Sequence, residues 1–148
     1  MDKINRIAGN QIKQWLFKRK ALILTGARQV GKTTLLRNLF ETEDAVLWLN
    51  ADEAPVRQRL SELSVTNLSQ VVGNNRLLII DEIQRIENAG LLLKLLVDNF
   101  PDTQVVATGS SALDISERIF EPLTGRHLLF HLYPFALAEL YTGKSPFE

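Results

Sequence analysis

Residues 26–33 have the spacing of a phosphate-binding loop. They read G-A-R-Q-V-G-K-T and match the pattern G-x-x-x-x-G-K-[S/T] at every fixed position. Glycine lets the backbone approach an anion closely, and successive backbone N–H groups then face the phosphates at the start of a helix. We expect Lys32 to bridge the β- and γ-phosphates and the Thr33 hydroxyl to bind Mg²⁺. The candidate nucleotide-binding residues are Gly26, Arg28, Gln29, Val30, Gly31, Lys32, Thr33 and Thr34.

Two of these candidates have less specific expectations. Thr34 is expected near the α-phosphate because it follows Thr33 at the start of the predicted helix. Arg28 either touches the phosphates or closes the site, or it is a solvent-facing side chain of the loop. The contacts of both residues depend on the orientation of their side chains, which the motif does not determine.

Two adjacent carboxylates follow an apolar run later in the chain. Residues 77–80 read L-L-I-I and are followed by Asp81 and Glu82. At the carboxyl end of a parallel strand, Asp81 can bind the Mg²⁺ of a nucleotide, and Glu82 can polarise the water that attacks it. The alternative is that the pair only ends the strand with solvated charge.

Two further residues are candidates for contact with the γ-phosphate. Ser110 follows the predicted fourth strand, where it is expected to sense the γ-phosphate or the attacking water, with Ser111 as the alternative sensor. A helix N-cap is the competing role. Arg126 precedes the fifth strand and is expected to act as an arginine finger across a subunit boundary, or to form a structural ion pair.

Alternating apolar runs and amphipathic stretches predict the elements that position these residues. Strands are predicted at 21–25, 45–49, 77–80, 103–108 and 127–132. Helices are predicted at 3–19, 32–40, 53–63 with Asp52 as N-cap, 66–72, 88–100 and 135–141. The alternation indicates a three-layer α/β/α fold with a mainly parallel sheet of about five strands, and the phosphate loop makes this fold a P-loop NTPase. The fourth strand is expected between the first and the third.

Composition limits the class of protein. The 148 residues suit a single domain, and 17 Lys+Arg balance 17 Asp+Glu, so the net charge gives no push toward nucleic acid or an anionic membrane. Cysteine is absent, which excludes a disulfide framework. No apolar stretch approaches the ~20 residues that cross a bilayer, and the first residues lack the apolar core of a signal peptide. We therefore expect a cytoplasmic protein.

Four segments together resemble a known family. They are GARQVGKTTLL, LLIIDEIQRI, VVATGSSALDIS and LTGRHLLFHLYPFALAEL. They are similar to prokaryotic AAA+ superfamily ATPases with an AAA_14-type core, which often carry a C-terminal region of the DUF4143 type. The resemblance covers residues 21–140. It implies ATP and Mg²⁺ as ligands, Asp81 and Glu82 as the acidic pair, Ser110 as the sensor and Arg126 as the late arginine.

The resemblance also implies a function and partners. Family members are usually longer, so residues 1–148 are expected to be a single ATPase core lacking a helical lid and a C-terminal region. The expected function is an ATPase that regulates or drives an attached or partner domain, with a homo-oligomer in the longer protein. The alternatives are a small-molecule kinase and a nucleic-acid-associated NTPase. A kinase needs a basic lid, whereas residues 111–126 contain only Arg118 and Arg126 as cations.

Overall fold

A five-stranded sheet forms the centre of the protein. The computed structural model describes residues 9–27, 31–110 and 117–132. The strands are β1 (Ala21–Thr25), β2 (Val46–Asn50), β3 (Leu77–Asp81), β4 (Gln104–Gly109) and β5 (His127–His131). They lie in the order β2-β3-β4-β1-β5, and every neighbouring pair is parallel. This confirms the predicted α/β class and the predicted place of β4 between β1 and β3.

Helices link the strands. Helix α1 covers residues 9–14 of the described chain. The later helices are α2 (Lys32–Leu39), α3 (Ala54–Arg59), α4 (Val65–Val72), α5 (Ala89–Asn99) and α6 (Glu117–Phe120), and a 3-10 helix spans Ile83–Arg85. The predicted closing helix at 135–141 lies outside the described residues.

The hydrophobic core lies on both faces of the sheet. Successive residues of a strand point to opposite faces, so a strand covered on both sides must be apolar throughout. Ile80 of β3 belongs to a cluster that includes Leu92 and Leu96 of α5. Its neighbour Ile79 belongs to the opposite cluster, which includes Leu36 of α2. Two helical layers therefore enclose the sheet, as the three-layer prediction requires.

The strand register brings the carboxyl ends of four strands to one edge. Thr25, the residue before the phosphate loop, pairs with Gly109 on β4 and with His131 on β5. Ile80 pairs with Ala107, so Asp81 ends β3 next to the end of β4. The loop, the acidic pair and the residues after β4 consequently start from the same edge of the sheet.

The first helix ends earlier than predicted. It was expected to reach residue 19, but α1 ends at residue 14 and residues 15–20 form turns and bends. Phe17 and Arg19 have φ angles of 58° and 62°, which an α-helix does not allow. The Phe17 N–H donates a hydrogen bond to Gln104 Oε1 over 2.7 Å. This contact with β4 replaces the helical hydrogen bond that the local apolar spacing predicted.

The predicted N-cap of α3 is wrong. The N-cap is Glu53 rather than Asp52, and its side chain makes no capping hydrogen bond. Asp52 instead forms an ion pair with Arg85, with 3.6 Å between Arg85 Nε and Asp52 Oδ1. Helix α4 does have a side-chain cap, because the Ser64 hydroxyl accepts from the Asn67 N–H over 3.1 Å.

None of the helices within the described residues has the length and apolarity needed to cross a membrane.

Candidate nucleotide-binding site

The phosphate loop connects β1 to α2. Its described residues are Gly26, Ala27 and 31–33, whereas Arg28, Gln29 and Val30 lie outside the described residues. Gly31 is the N-cap of α2 and has a φ of 87° in the left-handed region. A Cβ at Gly31 would meet nothing within 4 Å, so the backbone conformation is what demands glycine. The loop thus ends in a sharp turn directly at the amino end of the helix.

Lys32 is buried beneath the loop. Its side chain is among the few polar groups of the core, at 4% exposure. Lys32 Nζ donates hydrogen bonds to the carbonyl oxygens of Gly26 over 2.8 Å and Ala27 over 2.9 Å. An ammonium group is costly to bury without such partners. The described residues of the loop therefore hold a buried positive charge, which suits a polyanionic phosphate group.

Thr33 and Asp81 meet at the end of the sheet. The side chain of Thr33 lies close enough to the Asp81 carboxylate to lower its pKa, although 48 positions separate the two residues in the sequence. Burial raises the pKa of Asp81 above 3.8, and the negative charge of Glu82 raises it further. Hydrogen bonds from Thr108 and Thr33 and the positive charge of Arg37 oppose this rise in pKa. A hydroxyl and a carboxylate close to each other form an oxygen donor set that fits Mg²⁺.

Thr108 holds the two acidic residues together. Its hydroxyl donates to Asp81 Oδ1 over 3.0 Å and accepts from the backbone N–H of Glu82 over 3.1 Å. Thr108 itself is 1% exposed, whereas the two acidic residues that it contacts are partly exposed. No role was predicted for Thr108. Its position at the end of β4, beside the acidic strand, was the signal that could have identified it.

Glu82 has an unusual backbone and two side-chain donors. Its φ is 59°, in the left-handed region that few non-glycine residues adopt. Its Oε2 atom accepts hydrogen bonds from the Ser110 hydroxyl over 2.5 Å and from Gln84 Nε2 over 2.6 Å. Backbone strain of this kind is concentrated at functional sites. The carboxylate is thus both forced out of the regular strand and held by side chains.

The site places a buried lysine, a Thr–Asp pair and a fixed glutamate at one edge of a parallel sheet. A family model described as an AAA domain, AAA_14, matches residues 18–141. The chain belongs to this family. The match includes the phosphate loop, the acidic pair, Ser110 and Arg126, so all predicted site residues lie within the AAA_14 domain.

Relatives and solved structures agree with this fold. An uncharacterised protein of Methanocaldococcus jannaschii is 31% identical over 86% of this chain, and the chain spans 29% of that relative's length. A chain of Drosophila ORC bound to DNA is similar with a TM-score of 0.61 and 12% identity, covering 93% of this chain and 95% of that one. Pif1 helicase from Candida albicans is similar with a TM-score of 0.57 and 18% identity, covering 88% of this chain and 39% of that one. At such identities, the structural likeness shows a shared P-loop fold.

Arg126 lies at the opposite edge of the AAA_14 sheet. It precedes β5, and its carbonyl oxygen accepts from the N–H of Ala21 at the start of β1. Five residues of β1, at about 3.3 Å each, separate this edge from the phosphate loop. Arg126 Nε donates to Asp98 Oδ1 over 2.8 Å. The structure therefore shows the predicted ion pair and keeps Arg126 away from the loop of its own chain, while the role across a subunit boundary stays a prediction.

Ser110 and Thr34 are the remaining predicted site residues that the structure describes. The Ser110 hydroxyl lies against the Glu82 carboxylate, and its sensor role stays a prediction, while the alternative Ser111 lies outside the described residues. Thr34 is exposed in the first turn of α2, and its contact with the α-phosphate stays a prediction. Gln84 belongs to the family segment LLIIDEIQRI, but the sequence predicted no role for it. Its contact with Glu82 depends on the 3-10 turn, which the sequence pattern did not reveal.

Proposed function

We propose that this AAA_14 domain binds ATP with Mg²⁺ and hydrolyses the terminal phosphoanhydride bond. The observation that carries the proposal is the placement of Asp81 by Thr108 next to a glutamate that is held by Ser110. A phosphate loop alone suits kinases and hydrolases equally. A fixed carboxylate next to the magnesium aspartate favours hydrolysis, because it can accept a proton from water.

The phosphate loop is proposed to hold the nucleotide. The backbone N–H groups of residues 26–33 and the amino end of α2 attract the phosphates, since both present partial positive charge. Lys32 supplies a full positive charge from a buried position. Arg28, Gln29, Val30 and Thr34 complete the loop as in the family pattern.

Thr33 and Asp81 are the proposed magnesium ligands. Both side chains lie at the same edge of the sheet, and Thr108 and the β3–β4 pairing fix the carboxylate. When bound, Mg²⁺ neutralises charge that develops on the phosphate oxygens during transfer. The raised pKa of Asp81 also fits this role, since a cation relieves the cost of a desolvated carboxylate.

Glu82 is the proposed general base. It accepts a proton from a water molecule while the oxygen of that water bonds to the γ-phosphorus. The bond between this phosphorus and the bridging oxygen breaks, and its electron pair remains on ADP. Ser110 is proposed to contact the γ-phosphate or this water, because its hydroxyl lies against the Glu82 carboxylate. The hydrogen bonds of Glu82 place its carboxylate before the nucleotide binds, which reduces the reorganisation needed for reaction.

The longer protein is proposed to use this ATPase to regulate or drive another domain. The chain spans 29% of its Methanocaldococcus jannaschii relative, which supports an attached region beyond the AAA_14 domain. A homo-oligomer would allow Arg126 to reach the site of a neighbouring subunit. In that arrangement Arg126 would leave its half-exposed pairing with Asp98 and stabilise the charge of the transferring phosphate.

ATP binding and turnover with and without Mg²⁺ test the proposal. In Lys32→Ala, the loss of a charged hydrogen bond should weaken ATP binding about 10- to 100-fold. In Glu82→Gln, ATP binding should persist while turnover falls about 10²- to 10⁴-fold. Unimpaired binding by Lys32→Ala would contradict the assignment of the phosphate loop. Turnover that depends strictly on a second phosphate acceptor would favour a kinase.

A further inference from the structure

Gln84 closes a hydrogen-bonded triangle with Glu82 and Ser110. Gln84 Nε2 donates to Glu82 Oε2 over 2.6 Å and to Ser110 Oγ over 3.2 Å. Ser110 Oγ donates in turn to the same Glu82 Oε2 over 2.5 Å. All three side chains are partly buried, which strengthens bonds to a charged oxygen. We propose that Gln84 is a positioning residue that joins the Glu82 carboxylate and the Ser110 hydroxyl into one unit. This inference rests on the proposed ATPase function.

The triangle fixes one carboxylate oxygen and leaves the other accessible. Both donors bond Oε2 of Glu82, whereas Oε1 has no hydrogen-bond partner among the residues that the structure describes. A carboxylate with one anchored oxygen cannot rotate freely, so Oε1 keeps a constant direction. Oε1 is therefore the atom that accepts the proton of the attacking water, and Gln84 acts only through the orientation of Glu82.

The backbone explains how a residue two positions after Glu82 can reach back to it. The left-handed conformation of Glu82 turns the chain out of β3, and the 3-10 helix Ile83–Arg85 starts at once. The N–H of Arg85 donates to the Glu82 carbonyl over 2.9 Å, which closes this turn. Ile83 is buried and anchors the turn in the core, so Gln84 faces the site instead.

The carbonyl oxygen of the Gln84 side chain indicates that this residue does more than fill space in the fold. Its Oε1 is buried and has no hydrogen-bond partner within the described residues. A buried carbonyl oxygen without a donor destabilises the folded state. An apolar side chain of equal length would avoid this cost, so the amide is retained for the two bonds that Nε2 donates.

Gln84→Met tests the inference, because methionine keeps the length of the side chain and removes both donors. We expect kcat for MgATP to fall about 10- to 100-fold, since a misplaced reacting group costs that much, with KM within about twofold. The melting temperature should change little, because the loss of two hydrogen bonds and the removal of the unpaired oxygen oppose each other. Gln70→Met on the exposed face of α4 is the matched control and should change none of these quantities. A lower melting temperature together with unchanged kcat per folded molecule would overturn the role.

Binding of phosphate-transfer mimics provides a readout without turnover. Gln84→Met should bind MgADP as the wild type does, but bind MgADP with aluminium fluoride about 10-fold more weakly. Equal affinities of both proteins for the fluoride complex would overturn the role of Gln84 alone. Absence of MgADP binding in the wild type would overturn the proposed ATPase function, and the inference would fall with it.

A double-mutant cycle tests whether Gln84 and Ser110 act as a unit. Ser110→Ala and Gln84→Met should each lower kcat, and the double variant should lose little more than the more impaired single variant. Two independent contributions would instead multiply. Multiplied losses in the double variant would overturn the proposed unit.

Discussion

Thr108 donates a hydrogen bond to the carboxylate of Asp81 across the β3–β4 pair, over 3.0 Å. The same hydroxyl accepts a hydrogen bond from the backbone N–H of Glu82, so one buried group contacts both acidic residues and fixes their relative position. The bond to Asp81 lowers the pKa of that carboxyl group against the effect of burial. Thr108 therefore favours the charged form of the proposed magnesium ligand.

Thr108→Val should weaken magnesium binding in the presence of ATP. Valine has the shape of threonine but no hydroxyl, so the pKa of Asp81 rises and the Glu82 N–H loses its partner. We expect half-maximal ATP binding to need about 10-fold more Mg²⁺, with a larger difference at pH 6 than at pH 8. A magnesium titration at both pH values measures this.

Thr103→Val is the control for Thr108→Val. The Thr103 hydroxyl bonds the Asn75 carbonyl over 3.0 Å just before the opposite end of β4. This variant also loses one hydroxyl bond but should leave the magnesium titration unchanged. Equal shifts in both variants would show that general loss of stability, rather than the Asp81 contact, causes the effect.

Asp81→Asn should stabilise the nucleotide-free domain at neutral pH. The pKa of Asp81 is raised in the folded state, so folding favours its protonated form. Its contribution to stability is full below the ordinary pKa of 3.8 and is lost as pH rises through the raised folded value. Asparagine carries no charge, so the variant should melt higher than the wild type at pH 7.

The stabilisation by Asp81→Asn should disappear in two conditions. Near pH 3 the wild-type carboxyl is neutral, and the two melting temperatures should converge. Added MgATP should raise the melting temperature of the wild type more than that of the variant, because a ligand that binds more weakly stabilises the folded state less. A variant that melts lower than the wild type at pH 7 would contradict the assigned direction of the pKa shift.

Glu82→Gly should be more stable than Glu82→Ala. Both variants lose the carboxylate, so the difference between them reports the backbone alone. Alanine at a φ of 59° carries a steric cost of about 1–2 kcal/mol, which exceeds the entropic cost of glycine in the unfolded chain. We expect the glycine variant to be favoured by about 1 kcal/mol in denaturant unfolding.

Gln70→Gly and Gln70→Ala are the control variants for this comparison. Gln70 lies within α4, where glycine is less favourable than alanine by about 1 kcal/mol. The order of stability should therefore reverse between the two positions. The same order at both positions would mean that the left-handed conformation of Glu82 carries no strain.

Local sequence patterns were sufficient where a structural feature depends on neighbouring residues. Strand β1 is found at the predicted residues 21–25, because an apolar run stands between the charged Lys20 and the loop glycine Gly26. The phosphate loop and Asp81 were likewise found from short motifs. The parallel order of the strands then brought these motifs to one edge of the sheet, as expected.

Long-range contacts explain what the sequence did not show. The end of α1 depends on Gln104, 87 residues from Phe17. The Arg126–Asp98 pair joins residues 28 apart, and the local sequence around either residue does not predict a contact with the other. The contact of Gln84 with Glu82 could not be predicted for a different reason. It depends on a left-handed backbone conformation at Glu82, which glutamate seldom adopts.

Arg126→Ala should separate the structural role of this residue from its role across a subunit boundary. The ion pair with Asp98 is more than one-third exposed on both sides, so its loss should cost only about 0–1 kcal/mol of stability. ATP affinity should be that of the wild type, because Arg126 lies at the edge opposite the phosphate loop. Turnover should fall about 10³-fold or more if a neighbouring subunit receives this arginine.

Mixing experiments decide between the two roles of Arg126. Glu82→Gln retains Arg126 but lacks its base, whereas Arg126→Ala retains the base. If the arginine acts across a boundary, mixing these two inactive variants should restore part of the turnover, because some sites combine both intact residues. Asp98→Asn breaks the same ion pair while keeping the guanidinium, and should retain turnover. Equal losses in Asp98→Asn and Arg126→Ala, with no recovery on mixing, would assign Arg126 to the ion pair alone.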